Sequence, residues 1–127
     1  MFVDSSFWVG LVDAKDQWHS RAVSLQKRVP EGSAVLDLSL AEAITIVGSR
    51  RGGKRVRELY QFFRDSCRIV FADPEILESS IDLVASRDGR LSVADAATIQ
   101  AMIRDGDRTI LSFDADFDGI PGITRLH

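Results

Sequence analysis

A chain of 127 residues, 45% hydrophobic and 28% charged, is long enough to bury a core without disulfides and is neither disordered nor fibrous in composition. Sixteen Lys and Arg against nineteen Asp and Glu leave a net charge of −3, so a polyanion would have to be met by a local patch. One cysteine, Cys67, and two histidines, His19 and His127, exclude an internal disulfide and the usual Cys/His set of a zinc site.

The chain opens on a strand-like MFV without the basic region and long apolar stretch of a signal peptide, and no apolar run reaches membrane-span length. A cytoplasmic protein with no membrane partner is expected. Strands are predicted over 1–3, 33–38, 68–72, 108–113 and 123–126, and helices over 5–13, 17–29, 40–50, 54–66, 74–86 and 93–105. Gly52-Gly53 separates the third helix from the fourth, and Pro74 after Asp73 opens the fifth. No repeat or linker divides the chain, so 1–127 is expected to form a single domain. The alternation predicts an α/β fold with a mainly parallel sheet of about five strands and helices on both faces. Ligands of such folds sit beyond the carboxyl ends of the strands.

Asp4 closes the first strand and Asp114 follows TILSF, which places both on that edge. Glu42 and Asp95 each lie three residues after a serine, in SLAE from Ser39 and SVAD from Ser92, and are expected in the first turns of their helices. Each alone is explained by capping and the helix dipole, and Asp4 and Asp114 alone by strand-end and turn preferences. Four carboxylates converging on one pocket would instead repel one another and raise at least one pKa unless a cation intervenes. Hard oxygen ligands without histidine or thiolate suit Mg2+ or Mn2+, which bind phosphate oxygens of a substrate.

The runs FVDSS, SLAEA, RLSVADA and ILSFDADFD, in this order over essentially the whole chain, resemble the four acidic motifs of the PIN-domain family, and the size and terminal GITRL are similar to its VapC-type toxins. The resemblance implies a three-layer α/β/α fold and a Mg2+- or Mn2+-dependent endoribonuclease. Its acidic tetrad falls on Asp4, Glu42, Asp95 and Asp114, with Ser6 and Ser112 at the small hydroxyl positions. Asp4 and Asp95 would chiefly hold one ion, and Glu42 and Asp114 would orient the attacking water or bind a second. Such a cut leaves 5′-phosphate and 3′-hydroxyl ends. The resemblance further implies a homodimer paired with a small antitoxin whose chain lies over the acidic groove, an arginine replacing the metal. Asp116 and Asp118 are expected to cap the following turn or repel misplaced anions, with Phe117 anchoring it in the core.

GSRRGGKR, residues 48–55, has the Gly and Lys spacing of a phosphate-binding loop, but Arg55 stands where Ser or Thr would hold magnesium and a helix precedes it. Its charge is more useful: Arg50, Arg51, Lys54, Arg55 and Arg57 offer a track for RNA, against the alternative of a solvated helix face. His19 and Cys67 are assigned to packing, and Phe7, Trp8, Trp18, Phe62 and Phe63 to the core or a dimer seam. Two alternatives stand beside the nuclease. A receiver-like regulatory module would want a second acid beside Asp4 and a late lysine, whereas the chain has Ser5, Ser6 and no lysine after Lys54. A PIN-like domain that binds RNA or a partner without cutting is the other.

Overall fold

Short apolar runs without polar alternation mark strands covered on both faces. The computed structural model, which describes residues 1–127, has five strands, β1 (Phe2–Val3), β2 (Ala34–Leu36), β3 (Arg68–Val70), β4 (Thr109–Leu111) and β5 (Thr124–Leu126), of which the edge strands β3 and β5 begin on exposed residues. Their order is β3-β2-β1-β4-β5 and every pairing is parallel. Parallel neighbours require crossovers. These are supplied by α1 (Ser5–Val12), α2 (His19–Leu25), α3 (Asp37–Arg51), α4 (Gly53–Ser66), α5 (Pro74–Ser86) and α6 (Val93–Arg104), with 3-10 turns at Gln26–Arg28 and Ala115–Phe117. No helix is long and apolar enough to cross a membrane.

Successive strand residues point to opposite faces and so feed two cores. Phe2, Leu36, Val70 and Ile110 pack with Ile76, Ala96, Ala97, Ile99 and Met102 of α5 and α6, where Phe117 and Ile120 also lie. Val3, Val35 and Leu111 pack with Phe7, Trp8, Ala43, Val47, Leu59 and Phe63 of α1, α3 and α4. Phe117 is fully buried, so the turn after β4 is anchored as expected.

The structure corrects the strand expected over 33–38. β2 ends at Leu36 and α3 begins at Asp37, three residues before the predicted helix start. The alternation of Leu36, Leu38 and Leu40 with Asp37 and Ser39 imitates a strand, but Leu40, Ala43 and Val47 form a buried helical stripe. Asp37 makes the break: its carboxylate accepts from its neighbour Leu38 N (2.9 Å) and from Ala72 N beyond β3 (3.1 Å). Ser39 therefore caps nothing; it is buried within α3, its hydroxyl 3.2 Å from that of Thr98 on α6. The helix expected over 17–29 is shorter too, running from His19 to Leu25 before the 3-10 turn.

The glycines of GSRRGGKR serve a helix junction. Gly48 lies inside α3, where an added Cβ would meet Val56 Cγ2 at 2.6 Å, and Gly52 links α3 to α4 at φ +84°. The two helices thus approach closely through a missing side chain, and no strand leads into a phosphate loop.

Candidate active site

In the order β3-β2-β1-β4-β5 the chain builds outward from β1 in one direction and then returns to its other side at β4. The carboxyl ends of β1 and β4 are therefore the switch point where open α/β sheets leave a crevice. Asp4 follows β1 and Ser112, Phe113 and Asp114 follow β4. A cavity of about 410 Å³ opens there, lined by Asp4, Glu42, Asp95, Asp114 and Asp116 together with Ser6, Ser92, Asp16, Trp18 and Arg50. All four acids singled out from the sequence thus line one space. The carboxylate oxygens of Asp95, Asp114 and Asp116 come within 4.8 Å of one another.

Asp4 is 3% exposed and caps α1. Its Oδ2 accepts from Ser6 N (3.1 Å), Ser6 Oγ (2.6 Å) and Ser112 Oγ (2.9 Å). The serines are aimed in turn: Phe113 N donates to Ser6 Oγ at 2.9 Å and Asp114 N to Ser112 Oγ at 3.0 Å. With one lone-pair site on each hydroxyl occupied, both serines are set to donate to Asp4, and their own oxygens lie 3.2 Å apart, so the carboxylate is held rigid. Its Oδ1 has only a weak partner, Ser5 Oγ at 3.4 Å, and is left for a ligand. Ser6 and Ser112 thus orient an acid rather than react.

Asp95 has the double character that a lone acid in LSVADAATIQ suggests. Ser92 caps α6 by accepting from Asp95 N (3.0 Å) while its hydroxyl donates to Asp95 Oδ2 (2.6 Å). Burial nevertheless pushes the Asp95 carboxyl up to about 6, with Asp4, Asp114 and Glu42 adding repulsion and the Ser92 hydrogen bond opposing. Glu42 is raised as well, first by loss of water and then by the charge of Asp4, with Ser5 opposing. Because α3 starts at Asp37, Glu42 lies in the second turn, not the first, and has no capping duty.

Asp114, not Asp116 or Asp118, caps the turn after β4, accepting from Asp116 N at 2.8 Å. Asp118 is turned away, both its oxygens taken by Arg125 at 2.8 and 2.6 Å. Asp116 instead joins the carboxylate cluster, a place not expected for it from the sequence. The signal was the i, i+2 spacing of Asp114 and Asp116: a cap that folds the chain into a 3-10 turn returns the second acid toward the first.

The basic segment is largely paired. Arg51 closes on Asp13, a carboxylate 2% exposed that this guanidinium holds below its usual range. Arg50 bridges Asp16 (2.8 Å) and Asp13 (3.2 Å) and reaches the acid cavity. Arg55 meets Glu58 at 2.7 Å, with Lys54 at 3.9 Å. Two other cations missed in the sequence, Arg87 and Arg90, line a neighbouring hollow that Asp116 and Asp118 share. His19 is structural, its Nδ1 2.8 Å from Gly10 O, and Cys67 is half-buried, its thiol pushed up to about 11 by burial. Of the five aromatics assigned to the core or a seam, Phe7, Trp8 and Phe63 are buried, whereas Trp18 and Phe62 are about 40% exposed.

The donor set fits a divalent cation: hard oxygens only, repelling one another enough to raise two carboxyls, on elements that hold them still. Comparison with known proteins agrees with this geometry. A 23S rRNA-specific endonuclease, VapC20, of Mycobacterium tuberculosis is 29% identical over 120 residues, 92% of this chain and 91% of the relative. The crystal structure of the same organism's VapC20, described as a sarcin-ricin loop cleaving toxin, superposes with a TM-score of 0.85 at 26% identity, covering 96% of this chain and 97% of that one. A toxin-antitoxin complex from Klebsiella pneumoniae shares the fold, with a TM-score of 0.74 at 18% identity over 97% and 94% of the two chains. The PIN domain family model matches residues 1–123, and the chain belongs to the PIN-domain family.

Proposed function

We propose that this protein is a metal-dependent endoribonuclease acting as the toxin of a toxin–antitoxin pair in the cytoplasm. The observation that carries it is the carboxylate cluster at the β1/β4 switch point, in a chain similar over its length to an rRNA endonuclease. Family membership sets aside the receiver-like alternative.

Asp4, Asp95 and Asp114 would hold Mg2+ or Mn2+, with Glu42 and Asp116 beside them. Bound there, such an ion would supply Lewis acidity and a water of lowered pKa. The chain does the positioning. Asp4, fixed by Ser6 and Ser112, gives a ligand atom that does not have to reorganise, and Ser92 holds Asp95 toward the same space. Glu42, raised by its surroundings and lining the same cavity, would be the group to take a proton from the attacking water. No side chain is required as nucleophile, and Ser6 and Ser112 serve to position Asp4. The test is cleavage of 23S rRNA and of total RNA by pure protein with Mg2+ or Mn2+, and with EDTA. Metal-dependent cuts bearing 5′-phosphates are expected; undiminished cleavage in EDTA, or none with either metal, refutes the proposal.

Arg50, Arg51, Lys54 and Arg55 remain the proposed RNA track, with Arg50 nearest the acids. Removing one phosphate-binding side chain should lower the slope of log affinity against log salt by roughly 0.7 for a single strand. Arg50→Ala is expected to show that decrease. Arg51→Ala should instead lower the melting temperature, because it takes from the buried Asp13 carboxylate its main ion pair and leaves only the longer contacts to Arg50 and Lys15 N. An unchanged slope in all four variants would make this face merely solvated.

A homodimer and a small antitoxin complete the proposal. An antitoxin arginine laid over the cavity would pair with the same carboxylates as the metal, so antitoxin binding should weaken as Mn2+ is raised. A protein that sediments as a monomer at high concentration and binds no antitoxin would leave the nuclease and remove the toxin.

A further inference from the structure

Trp18 and Trp8 are used in opposite ways. Trp8 is 2% exposed and enclosed by edge contacts with Phe7, Phe62 and Phe63, an ordinary core aromatic. Trp18 lies flat on Phe113, ring centroids 5.0 Å apart and planes 14° apart, yet 42% of it is exposed. One face of the indole is thus backed by a ring and the other is open. Trp18 also lines the acid cavity, and Phe113 is the residue between Ser112 and Asp114.

The platform is rigid. Trp18 N donates to Asp16 Oδ1 at 2.9 Å, and the other oxygen of Asp16 is held by Arg50 at 2.8 Å. Ala22 N donates to Trp18 O at 2.8 Å, which ties it to the start of α2. Gly10 of α1 lets this segment close in: a Cβ there would stand 3.2 Å from Trp18 Cβ and 3.4 Å from the Phe113 ring. Arg50 is the one cation lining the cavity.

We infer that Trp18 is a base-stacking platform that seats one nucleotide of the RNA beside the scissile phosphate, with Arg50 facing the phosphate of that nucleotide. This rests on the ribonuclease proposal and goes beyond it by assigning a substrate contact. Single-stranded loops present splayed bases that stack on aromatic faces, and such stacking tolerates any base because each has a π face. An aromatic whose second face is already covered by Phe113 loses little freedom when a base arrives, so the contact orients the substrate over the carboxylates at small entropic cost. An RNA base suits this face better than a protein side chain, because the same wall carries the carboxylates that act on the phosphate.

The experiment compares wild type, Trp18→Ala and Trp18→Tyr on a short oligoribonucleotide cut once in Mn2+, and on the same strand made abasic at each nucleotide flanking the cut. Trp18→Ala is expected to raise KM about tenfold or more with kcat little changed, and Trp18→Tyr to restore most of the loss. One abasic position should raise the wild-type KM by a similar factor and cost Trp18→Ala nothing further. A merely structural Trp18 would give abasic penalties equal in both proteins, and that result overturns the inference, as does an unchanged KM in Trp18→Ala. If Trp18→Ala fails to fold, Trp18→Leu takes its place in the abasic comparison under the same criteria. Unchanged cleavage coupled to weakened antitoxin binding or dimerisation would assign Trp18 to a protein interface and likewise overturn it. A wild-type protein that cleaves no RNA refutes the ribonuclease proposal itself, which no result on Trp18 alone can do.

Discussion

Asp95→Asn is expected to lower RNA cleavage by at least about 100-fold and, in the same protein without metal, to raise stability at neutral pH. The two effects share one cause. The Asp95 carboxyl is pushed up to about 6 by burial and by the charges of Asp4, Asp114 and Glu42. A carboxyl that holds its proton more tightly in the folded chain than in the unfolded one favours folding at low pH and loses that contribution as pH rises from about 4 through 6. At pH 7 the metal-free wild type therefore carries an unfavourable charge that asparagine lacks. After allowance for solvent around this half-buried site, the gain is on the order of 1 kcal/mol, a few degrees in melting temperature. Asparagine can still accept from the Ser92 hydroxyl, so the cap survives. Mn2+ should stabilise wild type and leave the variant nearly unmoved, since only a ligand that binds the folded state shifts its melting. Thermal melts at pH 4 to 7, with and without Mn2+, read all of this. A variant less stable than wild type at pH 7 without metal would mean that capping, not repulsion, governs Asp95. Asp4→Asn should abolish cleavage alike, and it takes the charged acceptor from Ser6 N, Ser6 Oγ and Ser112 Oγ.

The sequence made the sheet legible because inner parallel strands covered on both faces leave short, largely apolar runs, and MFV, AVL and TIL are such runs. It misled where polar and apolar residues alternate without forming a strand. Leu36 to Leu38 reads as the end of a strand, but the Asp37 carboxylate accepts from Leu38 N and from Ala72 N, distant in the chain, where the helix starts. The capping pattern at Ser39 failed for the same reason, while that at Ser92 held because α6 begins where the local signal puts it. Asp4, Asp95 and Asp114 could be placed because their positions follow from element ends. The pairing of Arg50 and Arg51 with Asp13 and Asp16 could not, because it joins residues more than thirty apart that meet only after α1 and α3 have packed. The stacking of Trp18 on Phe113 is hidden likewise; in sequence Trp18 is one more aromatic in a chain with ten.

Among the acids after β4, Asp114→Asn is expected to be the most damaging, Asp116→Asn intermediate and Asp118→Asn nearly silent in cleavage at saturating metal. Asp114 is fixed at both ends: its N–H donates to Ser112 Oγ, itself bound to Asp4, and its side chain caps the turn through Asp116 N. One oxygen is used in the cap and the other is free to act as a ligand at the edge of the sheet. Its removal takes away a ligand and slackens the turn that carries Asp116. Asp116 lies within the carboxylate cluster but on the 3-10 turn, exposed and without a hydrogen bond to hold its own side chain. A ligand of that kind contributes through charge more than through geometry, and its loss should cost roughly tenfold. Asp118 has both oxygens on Arg125, which also donates to Ser112 O at 3.3 Å. Its replacement leaves the largely buried Arg125 without its bidentate partner, a cost in stability rather than in cleavage, because Asp118 does not line the acid cavity. Cleavage rates of the three variants, with far-ultraviolet circular dichroism to check folding, order them directly. If Asp116→Asn proves worse than Asp114→Asn, the ligand at this strand end is the acid on the turn, and the strand-borne Asp114 serves chiefly to fold the turn that presents it.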